Sequence, residues 1–214
     1  MKLITIPCIL VFMLLNFNLL GKDKMEWHYG LIKLSSGIQL KGDINFNPEL
    51  DIVSLLKDGN IKSFTPSKVE SFELYDEEIE ENRIFISLNY VQTSFYSTKV
   101  FFELLLPGKV SLVRRYNTFN QFYSLKAEAL ADNFGSYNYY AYANGTFTNL
   151  KRFKKQLLPL FRKEFEEEMI DFVGSNNLRL KRIEHQVVII DYYNFLSDPQ
   201  RKVLNPDYLI SLNN

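Results

Sequence analysis

Tyr137-Asn138-Tyr139-Tyr140-Ala141-Tyr142-Ala143-Asn144-Gly145-Thr146-Phe147-Thr148-Asn149-Leu150 decides how this chain folds. Asn-Gly favours a two-residue type I′ turn, because both central positions need positive φ. That turn sets Tyr142 against Phe147 and Tyr140 against Asn149 on one face. Tyr137, Tyr139 and Leu150 then fall on the other. At Leu150 the apolar period changes from two to that of a helix. Leu150, Phe153, Leu157, Leu158 and Phe161 form one stripe. Strands are therefore expected before this hairpin and helices after it.

Upstream, Ile32 and Leu34 share a parity, and Ser35-Ser36-Gly37 supplies a turn. Ile38, Leu40, Ile44 and Phe46 keep the period of two, with Gly42 placed for a bulge or close approach. Pro48 ends that strand. Ile52 to Leu56, Asp58-Gly59 and Ile61 to Phe64 read as a second hairpin. Thr65-Pro66 fits the start of a single helical turn. Val69, Phe72 and Leu74 begin another strand, and Asp76 to Asn82 is a charged break. Ile84, Ile86, Leu88 and Tyr90 alternate cleanly. Val100 to Leu106 is apolar on both parities, which suits a strand covered on both faces. Pro107-Gly108-Lys109 turns the chain into Val110 to Tyr116.

Downstream, Pro159 is expected to kink or end the first helix. Phe165, Met169, Ile170, Phe172 and Val173 make a second stripe, stopped by Gly174. A last helix carries Ile183, Val187, Ile190 and Tyr193 and ends before Asp198-Pro199. The fold class is α+β: an antiparallel β-rich N-terminal part, then a hairpin and about three C-terminal helices. The expected division is a signal peptide over 1–21, the β part over 22–116, an irregular loop over 117–136, and the hairpin plus helical part over 137–214. The last of these is able to form one domain with 22–116.

Composition sets further bounds. The chain has 214 residues, 46% of them hydrophobic, and 25 basic side chains balance 25 acidic ones. Balanced charge argues against nucleic acid as a partner, since such binders carry a net positive footprint. Lys2, the apolar run Ile9 to Leu15, and Gly21 follow the secretory pattern, which predicts cleavage before Lys22. Pro7, Asn16 and Asn18 interrupt the run, so it is a poor membrane anchor, and no membrane span is expected after cleavage. Cys8 is the one cysteine. The mature chain would hold none and would rely on packing.

The string Phe101-Phe102-Glu103-Leu104-Leu105-Leu106-Pro107-Gly108-Lys109-Val110-Ser111-Leu112 resembles a hairpin of uncharacterised exported proteins of Gram-negative bacteria. Helices like Phe153 to Phe161 and Asp191 to Leu196 follow in those proteins. The resemblance implies a place in the periplasm or at the cell surface and supplies no catalytic residue.

Motifs that carry chemistry are missing from the sequence. His28 and His185 lie far apart and sit in no HExxH setting; there is no GxSxG, GxGxxG or GxxxxGK[ST]. No cofactor or metal is expected. The acidic run Asp76, Glu77, Glu78, Glu80 and Glu81 lacks the alternating ligands and turn glycine of a calcium loop and reads as a solvated tip. Lys151, Arg152, Lys154 and Lys155 are answered by Glu164, Glu166, Glu167 and Glu168, as two solvated faces. Tyr137, Tyr139, Tyr140 and Tyr142 are the candidate binding residues, because tyrosine joins apolar area to a polar tip at interfaces. The expectation is a non-catalytic binding or structural module with a protein or cell-envelope partner. The alternative is an exported hydrolase whose site is assembled from sequence-distant residues.

Overall fold

The computed structural model describes residues 26–93, 96–116 and 137–201. The expected signal peptide and the expected irregular loop at 117–136 lie outside these residues. Ten strands form one antiparallel sheet: β1 (His28–Leu34), β2 (Gln39–Asn47), β3 (Ile52–Lys57), β4 (Asn60–Phe64), β5 (Val69–Asp76), β6 (Glu81–Thr93), β7 (Tyr96–Leu106), β8 (Ser111–Tyr116), β9 (Tyr137–Ala143) and β10 (Thr146–Asn149). Their order is β10-β9-β8-β7-β6-β5-β1-β2-β3-β4. The first four strands form a meander. The chain then returns so that β5 pairs with the free side of β1, and a second meander runs on to β10. The α+β expectation stands, with strands before the Asn144-Gly145 hairpin and helices after it.

The turns follow from local chemistry. Asn144 and Gly145 both take positive φ, as a type I′ turn requires, and so do Asp58 and Gly59. The β9–β10 register matches the sequence reading: Phe147 faces Tyr142 and Asn149 faces Tyr140. Thr65-Pro66 opens not a helical turn but a single β-turn, closed by Lys68 N–H donating to the Thr65 carbonyl at 3.0 Å. The charged break is shorter than expected, because Asp76 still pairs with Glu81.

Gly30 and Gly42 face each other across β1 and β2. A Cβ on Gly30 would sit 2.1 Å from the Glu73 carbonyl oxygen, and one on Gly42 would sit 2.8 Å from that of Leu56. The close approach expected at Gly42 is therefore present, and it extends to its cross-strand partner. This part of the sheet coils tightly and packs on itself. Phe46 of β2 lies with its ring centroid 4.9 Å from Phe85 of β6 and 5.8 Å from Phe101 of β7.

The helical part begins with a 3₁₀ turn at Leu150–Arg152, with Asn149 accepting from the Lys151 N–H at its start. α1 (Phe153–Gln156) and α2 (Leu158–Glu164) share the expected stripe but break at Leu157. The break falls just before Pro159, the residue expected to kink or end the helix; Pro159 itself sits in the first turn of α2, where its missing N–H has no intrahelical partner to lose. α3 (Glu166–Ser175) runs through Gly174, and its end is turned by Asn177 at positive φ. Gly174 is thus not the stop. α4 (Ile183–Ser197) ends where expected.

Three apolar clusters result. One lies under the helices and joins Leu106, Leu112 and Ala141 of the sheet to Phe153, Phe161 and Ile190. The second fills the coil of the sheet, around Ile32, Ile44, Phe72, Phe85 and Phe101. The third is on the opposite face, where Phe102, Val100 and Val113 are ringed by Tyr90, Tyr140, Tyr142 and Phe147. Asn194 of α4 pins the helices to the β7–β8 turn. Its amide donates to the Val110 carbonyl and its carbonyl accepts from the Val110 N–H, each at 2.9 Å. No helix among the described residues is long and apolar enough to cross a membrane.

Candidate functional site

Cross-strand register builds the site. On the inner face one row of neighbours runs Phe72, Phe85, Glu103, Arg114, Tyr139 across β5 to β9. Phe72 and Phe85 belong to the cluster inside the coil, and Leu112 and Ala141, two residues further along β8 and β9, belong to the one under the helices. Glu103 and Arg114 therefore occupy the seam between two cores on one face. Arg83, two residues before Phe85, is the diagonal neighbour of Glu103, within reach of a long side chain.

The seam is closed by charge. Glu103 is 6% exposed and accepts four N–H bonds from two guanidinium forks. Arg83 gives Nε at 3.0 Å and Nη2 at 3.0 Å, and Arg114 gives Nε at 2.7 Å and Nη2 at 3.0 Å. Paired forks of this kind are the strong form of a charge-assisted hydrogen bond. Burial alone would raise the Glu103 carboxyl, but the hydrogen bonds and charges of Arg83 and Arg114 outweigh it and hold it below its ordinary value. Burial likewise opposes the charge on both guanidiniums, and Glu103 reverses this and raises both. Arg83 Nη1 reaches Asp76 at 3.1 Å, and the Arg114 guanidinium lies 4.4 Å over the Tyr137 ring.

Beside the seam opens a cleft of about 710 Å³, a size typical of small-molecule sites. Its walls come from distant parts of the chain: His28 of β1, Asn45 and Asn47 of β2, Asp51 of the β2–β3 connection, and Arg115 and Tyr116 of β8, with Tyr137 beyond them. The connection is shaped by Asn47, whose side-chain carbonyl accepts from the Glu49 and Leu50 N–H groups. Asp51 follows at positive φ, a conformation aspartate tolerates better than most residues. It accepts from the Phe101 N–H at 3.2 Å and from Arg115 Nη2 at 3.5 Å. Burial pushes the Asp51 carboxyl up, against the lowering effects of Arg115 and the Phe101 N–H. His28 Nδ1 lies 3.1 Å from the Tyr75 carbonyl, which fixes its ring.

The four candidate tyrosines are divided between the two faces of the sheet, as the hairpin register requires. Tyr137 lines the cleft, edge-on to Tyr116 at 5.7 Å. Tyr139 lies between the charged seam and the helical core, and burial raises its hydroxyl above the ordinary value. Tyr140 and Tyr142 join the third cluster on the opposite face, where the Tyr140 hydroxyl meets that of Tyr90 at 3.2 Å. Burial and Tyr90 raise the Tyr140 hydroxyl in turn. All four are half-buried. His185 lies elsewhere, its Nδ1 accepting the Arg179 N–H at 2.7 Å. In the acidic run, Asp76 accepts from the Glu78 N–H and pairs with Arg83.

Arg83, Glu103, Arg114 and Asp51 were not singled out from the sequence. One signal was available: Glu103 is the one charge in the apolar run Val100 to Leu106, and a charge so placed demands partners. No family model matches the chain, and no curated protein or solved structure matches it.

Proposed function

We propose that this chain is an exported, non-catalytic binding protein that holds a small polar ligand in the cleft between the coiled sheet and β8–β9. The observation that carries this reading is the saturation of Glu103. Its acceptor sites are filled by four N–H donors at 2.7 to 3.0 Å, so the carboxylate in the seam holds the walls together and has little capacity left for proton transfer or attack. Catalysis by paired carboxylates needs two that are free to act, and Asp51 is left as the inner one. Nor do Ser, Thr or Cys line the cleft among the described residues, so His28 has no side-chain hydroxyl of Ser or Thr and no thiol to activate there. What remains is a concave, walled, hydrogen-bonding space. Export rests on the Lys2 to Gly21 pattern.

Two measurements test the reading. Isotope-labelled protein is titrated with mixed sugars, amino acids, organic acids and nucleosides while the amide spectrum is followed. Saturable shifts at cleft residues with the ligand recovered intact support it. A cleaved product makes the protein a hydrolase. Shifts confined to the Tyr140–Tyr142–Phe147 face, or none, overturn the cleft. Separately, intact mass of the exported product should begin near Lys22, and retention of Met1 to Gly21 refutes processing.

A further inference from the structure

Resting on that cleft, we infer that its ligand is a neutral, polyhydroxylated molecule: a saccharide rather than an organic ion. The argument starts from charge. Each guanidinium of the cleft already faces a carboxylate: Arg83 and Arg114 face Glu103, and Arg115 faces Asp51. The exposed Glu26 and Glu49 also border the space. An anion entering would meet Asp51, Glu26 and Glu49 with every lining arginine already opposed by an acid. A cation would find both buried carboxylates already paired, Glu103 with Arg83 and Arg114 and Asp51 with Arg115, and Glu26 and Glu49 lie out in solvent, where their attraction is screened. An uncharged ligand meets neither penalty.

Hydrogen-bonding geometry points the same way. Several lining side chains are planar forks that carry donors or acceptors: Asn45, Asn47, Asp51 and Arg115. The Asn47 carbonyl is used by two backbone N–H groups, which leaves its amide to donate outward. Arg115 meets Asp51 only at 3.5 Å through one nitrogen, so its other N–H groups have no protein acceptor among the described residues. Vicinal hydroxyls, each both donor and acceptor, match such forks two at a time. An aromatic wall completes the set: Tyr116 and Tyr137 stand edge-on at 82°, and Phe46 closes the inner end. Rings of this kind cover the C–H face of a sugar while its hydroxyls stay paired.

The experiment uses the mature protein and three probe classes in the same buffer: neutral sugars (glucose, galactose, N-acetylglucosamine and their β-linked dimers), anions (citrate, glutamate) and a cation (spermidine). Binding is read by calorimetry and amide shifts. At least one neutral sugar should saturate the cleft, with affinity unchanged within twofold between low and high salt, as expected where no net charge is neutralised. Tyr137→Ala and Arg115→Gln should each weaken it at least tenfold, whereas Tyr137→Phe, which keeps the ring, should stay within threefold. The amide spectrum of each variant verifies its fold. Saturation by a charged probe alone, or a tenfold loss of affinity with salt, overturns the ligand class and leaves the cleft standing. If no probe of any class reaches the cleft, both readings fall.

Discussion

Replacing Glu103 by glutamine removes one charge and almost no volume, so it isolates the electrostatic role of the seam. Glutamine keeps one acceptor oxygen and places an amide donor against the guanidiniums of Arg83 and Arg114. Breaking a buried ion pair by removing one partner costs about 3–5 kcal/mol, because the surviving charge is left uncompensated. The two arginines are 25% and 20% exposed, so water screens part of that loss and the lower end, about 3 kcal/mol, is expected. For a domain of this size that corresponds to a fall in Tm of roughly 6–12 °C. The assay is urea unfolding at pH 7 with a parallel thermal melt. The pH dependence gives an independent reading. Since the folded carboxyl sits below its ordinary value, its stabilisation is present above the unfolded pKa and is lost as pH falls through the folded one. Acid unfolding of the E103Q variant should therefore be shallower than that of wild type. A variant within about 0.5 kcal/mol of wild type, the level of an ordinary surface substitution, would refute the seam as a structural clamp.

Asp51 should act in the opposite sense. Its folded carboxyl is raised, so the folded state takes up a proton before the unfolded chain does and gains relative stability as pH falls through that range; Asp51→Asn should steepen acid unfolding. Gly30→Ala should cost about 3 kcal/mol, since the added methyl meets the Glu73 carbonyl and the sheet must open to admit it. Gly145→Ala, where space is open and only positive φ opposes the change, should cost about 1 kcal/mol in the same urea assay. Asn194→Ala strands both the N–H and the C=O of Val110 and should cost about 2–4 kcal/mol, read by urea unfolding and faster exchange of the Val110 amide.

Elements governed by local rules were legible in the sequence. The Asn144-Gly145 turn and its register needed only the φ demands of its two central residues, and the strands needed only a period of two. Helix ends were less so. Pro159 marked the break between α1 and α2, but Gly174 misplaced the end of α3, where Asn177 supplied the left-handed stop. The seam was hidden for another reason. Arg83, Glu103 and Arg114 stand on three different strands, and what unites them is the pairing of β6, β7 and β8, which no single window contains. Asp51 lies further out of view, because it reaches Phe101 only once the sheet has coiled. The tyrosines show the same limit. Their alternation was readable, but which face would border a cleft depended on strands far upstream.

The tie between Asn194 and Val110 bears on the order in which the chain can mature. The two residues are 84 positions apart, and a contact of such separation forms late, after the intervening loop has closed. A chain emerging from its N-terminus can pair β7 with β8, but the Val110 backbone must remain hydrated until α4 is available to replace that water. The strands made first thus wait on the helix made last. A truncated or stalled chain should retain a labile β7–β8 turn, and a protease would tell it from the finished molecule by cutting there.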